Sequence, residues 1–145
     1  MTSPPQVKVL TALESLGSMT FLALRSPVHR NWLISDIETN YVPALKFGQC
    51  KIYFASPEKP IAFVTWAFLD DSTHAQLLED GRTPHESKWT TGENLWFIDV
   101  VAPYGDSVKV IRDMRQNYFS GRHAHSIRRN TDGSIRRFQQ WRNIR

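Results

Sequence analysis

The stretch LWFIDVVAP, residues 95–103, decides how the rest of the chain is read. Its β-branched and aromatic residues, free of glycine and closed by Pro103, read as a strand rather than a helix. Apolar side chains fall on both faces, which predicts a central strand with cover on either side of the sheet. One residue does not fit. Asp99 sits inside the apolar run, and burying an unpaired carboxylate costs on the order of several kcal/mol, so it needs a partner or water. Alternation predicts Phe97, Asp99 and Val101 on one face and Trp96, Ile98 and Val100 on the other. Two roles stay open for the carboxylate: bracing an arginine or a helix end, or holding and polarising a histidine.

Working outward from this strand, CKIYFAS and IAFVTWAFL read as two more strands, joined through PEKP as a hairpin. The stretch from Asp70 to Asn94 is polar and turn-rich, with weak helical character around Ala75 to Leu78. Downstream, GDSVKVIRDMRQNYF has Val108, Ile111 and Met114 or Arg115 at helical spacing, and SIRRN-TDG-SIRRF is a near-repeat around an Asp-Gly turn, a hairpin indicator. Upstream, Val7 to Leu24 predicts a helix with Val9, Leu13 and Leu16 on its apolar face, Leu10 alongside, and Gly17 ending or interrupting it. Ser35-Asp36-Ile37-Glu38 matches a capping box. The helix it opens should run to Lys46, burying Ile37, Tyr41 and Leu45 and stopping at Gly48, with Pro43 predicting a kink or early end. The expected fold is a single α+β domain over residues 1–145, a mostly antiparallel sheet flanked by helices, with residues 1–6 unstructured.

The length, 145 residues, suits one hydrophobic core, and five tryptophans with eight phenylalanines supply its filling. No apolar run approaches the roughly 18 residues of a membrane span. MTSPPQ lacks the basic start of a signal peptide, and Cys50 is alone, so a cytoplasmic location is the expectation. The formal charge of +4 is uneven: residues 107–145 hold ten Lys/Arg against two acids, while the remainder is net negative. A field of that kind favours an anionic partner: an acidic protein, a phosphate group, a nucleic acid or a membrane surface.

His29, in SPVHRNW at residues 26–32, has two readings as well: a side chain packed at a helix start, or a general base. Sequence spacing does not bring it to Asp99. The combination of SPVHRNW with WTTGENLWFIDVVAPYGD, residues 89–106, however, closely resembles the toxin-activating lysine acyltransferases that act on RTX protoxins. Those proteins carry a Ser-Pro-aliphatic-His-Arg-Asn-Trp signature followed by a Trp-Phe-Ile-Asp block ending Ala-Pro-aromatic-Gly-Asp. The likeness covers roughly Leu22 to Arg137.

The resemblance implies transfer of a fatty acyl chain from acyl carrier protein to internal lysine ε-amines of a protoxin. It further implies a fold similar to the Gcn5-related N-acetyltransferases (GNAT-like), a homodimer as one assembly, and His29 and Asp99 as the catalytic pair. Ser26 and Arg30 would orient the histidine. Val100, Ala102 and Gly105 would meet the acyl-phosphopantetheine, and backbone N–H groups of the strand or of the Ala102 to Asp106 turn would serve an oxyanion. APYGDSVKV has one glycine and an acid, Asp106, where the pyrophosphate of coenzyme A would want none. That favours a carrier-bound donor, with no bound cofactor and with Arg128, Arg129, Arg136 and Arg137 as the docking face. Trp32 and Trp89 are either core or acyl-pocket residues. His74 and His85 read as loop residues, while His123 and His125 would face one way on a strand, without the third ligand a metal needs. Two other functions stay in view: a GNAT-like enzyme using acyl-coenzyme A on another amine, and a nucleic-acid-binding module built on the basic hairpin.

Overall fold

The computed structural model describes residues 10–142. The expected lack of structure at residues 1–6, Val9 on the first helix and Arg145 in the basic cluster lie outside the described residues. The elements run α1 (Ala12–Ala23), α2 (Ile34–Lys46), β1 (Cys50–Ser56), β2 (Lys59–Leu69), α3 (Asp71–Asp80), β3 (Asn94–Val101), α4 (Ser107–Asp113, continued by a π turn at Met114–Tyr118), β4 (Ala124–Arg129) and β5 (Ile135–Trp141). The strands form one sheet in sequence order, so β3 is its centre. All neighbouring pairs are antiparallel except β3 with β4, which α4 connects in parallel. The α+β class and the mostly antiparallel sheet are as the sequence predicts.

Each face of the sheet has its own cover. On one, Met19 and Leu22 of α1 and Tyr41 of α2 bury Phe63 and Val101, while Ala44, Leu77 and Trp89 pack on Ala67, Leu69 and Trp96. On the other, Val110, Ile111 and Met114 close over Val64, Trp66, Leu95 and Phe97. Strand β2 serves both by strict alternation, which is why its residues from Ala62 to Ala67 are all buried.

Strand β3 breaks that alternation. Phe97 pairs with Trp66 but Asp99 pairs with Thr65, so two steps on β3 oppose one on β2 and Ile98 is the extra residue of a β-bulge. The expectation that Phe97, Asp99 and Val101 share a face is therefore corrected. Phe97 packs under α4, whereas Val101, and with it Asp99, belongs to the face covered by α1 and α2. Without the bulge the carboxylate would point at α4.

Other local expectations shift for identifiable reasons. Gly17 neither ends nor interrupts α1, because intrahelical bonding continues to Ala23. The buried side of α1 is Met19, Leu22 and Ala23, not Leu13, which is 81% exposed. Thr11 and Glu14 supply the capping box of α1. In α2 the predicted Ser35–Glu38 box does not form. Ser35 is already helical, and Asp36 accepts from the Leu33 N–H at 2.8 Å instead. Pro43 does not end α2, which reaches Lys46. The polar segment after β2 holds a full helix, α3, capped by Asp70 accepting from the Thr73 N–H and closed by Gly81 at φ +66°. His74 is thus helical rather than in a loop, and its Nδ1 accepts from the Trp96 indole. His123 lies before β4 and is exposed, while His125 is stacked on Trp96, so the two do not share a strand face. Val108 is exposed on α4, its place in the core taken by Val110.

Candidate active site

The α1–α2 connection is a series of tight turns. The Ser26 carbonyl accepts from the N–H groups of His29 and Arg30, and the His29 carbonyl accepts from Trp32. Pro27 sits where its fixed φ suits the first turn and no N–H is needed. This frame drops the His29 side chain onto the sheet, where it is 8% exposed.

There it meets Asp99. Nε2 of His29 lies 2.9 Å from Oδ1 and 2.8 Å from Oδ2 of the carboxylate. On its other side, Nδ1 lies 2.5 Å from Oγ of the buried Ser26. A carboxylate only accepts, so Nε2 carries the proton in the neutral ring, and Nδ1 is left as the basic nitrogen receiving the Ser26 O–H. The three side chains form a chain of hydroxyl, imidazole and carboxylate. The imidazole also rests on Trp32 at 4.6 Å between ring centroids, and the stack continues through Tyr41 to Phe63. Burial, and next the charge of Asp99, push the Tyr41 hydroxyl well above its ordinary range, so it stays neutral beside the pair.

The pair opens on a cleft of about 940 Å³, inside the range of small-molecule sites. Its origin is the splay between β3 and β4. They pair only from Leu95–Ala124 to Phe97–Ser126, and past the bulge they diverge. The gap is lined from both sides of the sheet: by His29, Trp32, Asp36 and Asn40 on one, and by Val108, Ile111, Arg112 and Arg115 on the other.

Of the residues singled out in the sequence, Ser26, His29, Trp32, Asp99, Val100, Ala102, Gly105, Arg128, Arg129 and Arg136 line this cleft. Trp89 does not. It is wholly buried in the core, its indole donating to the Pro84 carbonyl. Arg30 is exposed outside the cleft, and Arg137 does not line it. Arg129 is tied to structure, donating to the carbonyls of Gly81 and Gly133 and so fastening the terminal hairpin to the end of α3. Arg112 and Arg115 were missed as site residues. Val108, Arg112 and Arg115 share the side of α4 that lines the cleft, next to Ile111, which serves both cleft and core. Among the described residues no group of three or more His, Cys, Asp or Glu could hold a metal ion, and no helix is long and apolar enough to cross a membrane.

The profile of the RTX toxin acyltransferase family, HlyC, matches residues 8–142. The chain is similar to the RTX-I toxin-activating lysine-acyltransferase ApxIC of Actinobacillus pleuropneumoniae, 35% identical over 77% of this chain and 64% of the relative. It is also 35% identical to the leukotoxin-activating lysine-acyltransferase LtxC of Aggregatibacter actinomycetemcomitans, over 72% and 62%. To the protein-lysine myristoyltransferase HlyC of Escherichia coli it is 34% identical, over 73% and 62%. The matched part is thus less than two thirds of the length of these relatives.

Proposed function

The chain belongs to the RTX toxin acyltransferase family, and from that premise we propose that it is a protein-lysine fatty acyltransferase. The donor is the phosphopantetheine thioester of an acyl carrier protein, and the acceptor is the ε-amine of an internal lysine in an RTX protoxin. Supporting this are the relatives' names, toxin-activating lysine-acyltransferase and protein-lysine myristoyltransferase. The observation that carries it is the Ser26–His29–Asp99 chain of contacts, at 2.5 and 2.8 Å, opening into a cleft that runs through the sheet. A GNAT-like fold is the reading best supported by a central strand that bulges and then splays from its parallel neighbour.

The mechanism follows from the tautomer. A lysine amine is protonated at neutral pH; it gives up one proton to solvent before attack, since only the free amine has a lone pair, and a second as the C–N bond forms. As the amine nitrogen bonds to the thioester carbonyl carbon, Ser26 Oγ accepts its proton and passes its own to Nδ1 of His29. Asp99 holds the ring through Nε2–H and offsets the imidazolium charge. Asp36 and Asp99 give the α2 side of the cleft the acidic character that suits a cationic lysine. The tetrahedral intermediate collapses with cleavage of the C–S bond, and the thiolate recovers the proton from His29. The products are an amide and a free thiol. Backbone N–H groups at the bulge and the Ala102–Asp106 turn are the donors for the oxyanion. Val100, Ala102 and Gly105 form the wall along which the phosphopantetheine arm lies.

Arg112, Arg115, Arg128 and Arg136 line the cleft and provide the attraction for an acidic carrier. Coenzyme A asks for a pyrophosphate cradle that the Asp106-bearing turn does not supply. No resident cofactor is needed, and the cytoplasm, where carrier-bound acyl chains are made, is the site of action. A homodimer is compatible with this chemistry and not required by it.

The test is incubation of a toxin fragment with acyl carrier protein, or coenzyme A, bearing the same acyl chain. Mass spectrometry should find a fatty amide on lysine with the carrier-bound donor, falling with rising salt and absent with His29→Ala. Wild-type acylation by His29→Ala, or salt-dependent binding of arbitrary DNA without acylation, refutes the proposal. The Ser26 contact also permits an acyl-enzyme route, which a burst of acyl-protein trapped at low pH on Ser26 or His29 would identify.

A further inference from the structure

The α4 side of the cleft takes no part in the proton transfer, and its chemistry is different. Its walls are Phe97 and Val100 of β3, Val108 and Ile111 of α4, and Trp141 of β5. The carboxylates of the cleft, Asp36 and Asp99, belong to the opposite side, and of the arginines that line it Arg115 stands beside Trp141. Toward Phe97 the gap narrows to the paired row Phe97–Ser126–Gln139, and in the next row on the same face stand Leu95, Ala124 and Trp141.

Trp141 is held across that closed end. Its indole N–H donates to Ser126 Oγ at 2.9 Å, the Arg115 guanidinium carbon lies 5.8 Å from its ring centroid, and it packs against the cluster containing Met114 and Ala124. A long apolar chain entering from the end where β3 and β4 no longer pair, its thioester level with the bulge, has its methyl end directed at this ring.

We propose that the α4 arm holds the fatty acyl chain and that Trp141, fixed by Ser126 and Arg115, is its end wall and sets the length of chain transferred. This rests on the acyltransferase reading above, which supplies the occupant, while the assignment of arm and wall comes from the geometry. A pocket wall discriminates by whether the last methylenes fit, and each methylene is worth roughly tenfold or more in specificity. Trp141 limits from one end only, so enlarging the wall favours longer chains without penalising the original one.

The experiment compares wild type, Trp141→Phe and Trp141→Ala with carrier proteins charged with saturated chains of twelve to eighteen carbons in competition, reading lysine-bound chain length by mass spectrometry. The ratio of the next longer chain to the wild-type optimum should rise by roughly tenfold in Trp141→Ala and less in Trp141→Phe. An unchanged distribution in a variant that still acylates overturns the proposal. A second measurement needs no variant: a carrier-bound acyl chain with a terminal diazirine is photolysed on the wild-type protein. Crosslinks at Trp141, Ile111 or Ser126 support the end wall, and crosslinks confined to Trp32 or α2 overturn it. A wild-type protein that transfers an acyl chain to lysine from none of these donors sinks the acyltransferase reading instead, and the crosslink position still decides the arm.

Discussion

Replacing Asp99 by asparagine keeps the shape of the side chain and removes its charge. In the native arrangement both carboxylate oxygens lie within 2.9 Å of His29 Nε2. With charge centres about 4 Å apart and an effective dielectric near 20, the attraction between the carboxylate and an imidazolium formed in the transfer is about 4 kcal/mol, before the cost of burying that charge is set against it. At about 1.4 kcal/mol per decade that is roughly a thousandfold in the rate of a step that generates the imidazolium. The Asp99 side chain is 14% exposed, so some of this is screened, and a loss of about a hundredfold is the lower bound. Asparagine has a second effect in the same direction: its amide can donate to Nε2 and so leave Nδ1 carrying the proton, the wrong tautomer for accepting one from Ser26. The assay is steady-state lysine acylation at saturating acyl carrier protein, read as kcat, with thermal unfolding run alongside to show that the fold is intact. Wild-type kcat in a folded Asp99→Asn protein would refute the reasoning, because the dyad would then be structural.

Ser26→Ala, by removing the hydroxyl from Nδ1, should lower kcat by roughly a hundredfold while leaving the thermal midpoint nearly unchanged; a large fall in midpoint with normal kcat would make Ser26 a packing residue. Gly92→Ala should destabilise by about 1–3 kcal/mol, since a Cβ there would stand 2.3 Å from the Leu69 carbonyl oxygen and 2.4 Å from the Asp70 nitrogen. Gly17→Ala, where a Cβ meets nothing within 4 Å, should raise stability by about 0.5–1 kcal/mol; chemical denaturation of the two variants checks the contrast. Burial, with His74 and His123 beside it, lowers the His125 pKa below 6.5, so below that pH the unfolded chain binds more protons than the folded one and stability falls as pH drops. His125→Phe should flatten the midpoint-against-pH curve between about pH 7 and 5. At lower pH a second loss is expected as Asp113 titrates. Burial alone would raise this carboxyl, but bonds from Lys51, Tyr53 and Asn117 hold it at about 2, so the stability it lends is present above its unfolded pKa and fades as pH falls from about 4 through 2. Asp113→Asn, followed by acid unfolding, should remove that dependence.

Elements built from local interactions were legible in the chain. The β-branched runs, the Asp-Gly turn and the helical spacing of Ile37, Tyr41 and Leu45 each act over a few residues, and each is found where it was read. Helix starts were less legible. A cap depends on which of several polar neighbours wins the first N–H, and at α2 Asp36 prevails over Ser35. The site was legible in part. SPVHRNW and the Asp99 strand named His29 and Asp99, the pair the fold brings together, through family likeness, while nothing in the spacing of α4 distinguishes the cleft-lining Val108, Arg112 and Arg115 from the core residues beside them.

What the sequence determined by itself is the five strands and the helices other than α3, the central place of the strand bearing Asp99, and the singling out of His29 and Asp99. Tertiary structure alone decided that these two meet. A bulge exists only in the register between two strands, so no pattern within β3 could show that Ile98 is the extra residue that turns Asp99 from the α4 side toward His29. The same holds for the gap beyond it, which opens because β3 and β4 stop pairing, a relation between segments that lie some thirty residues apart and are aligned only when the core beneath them closes.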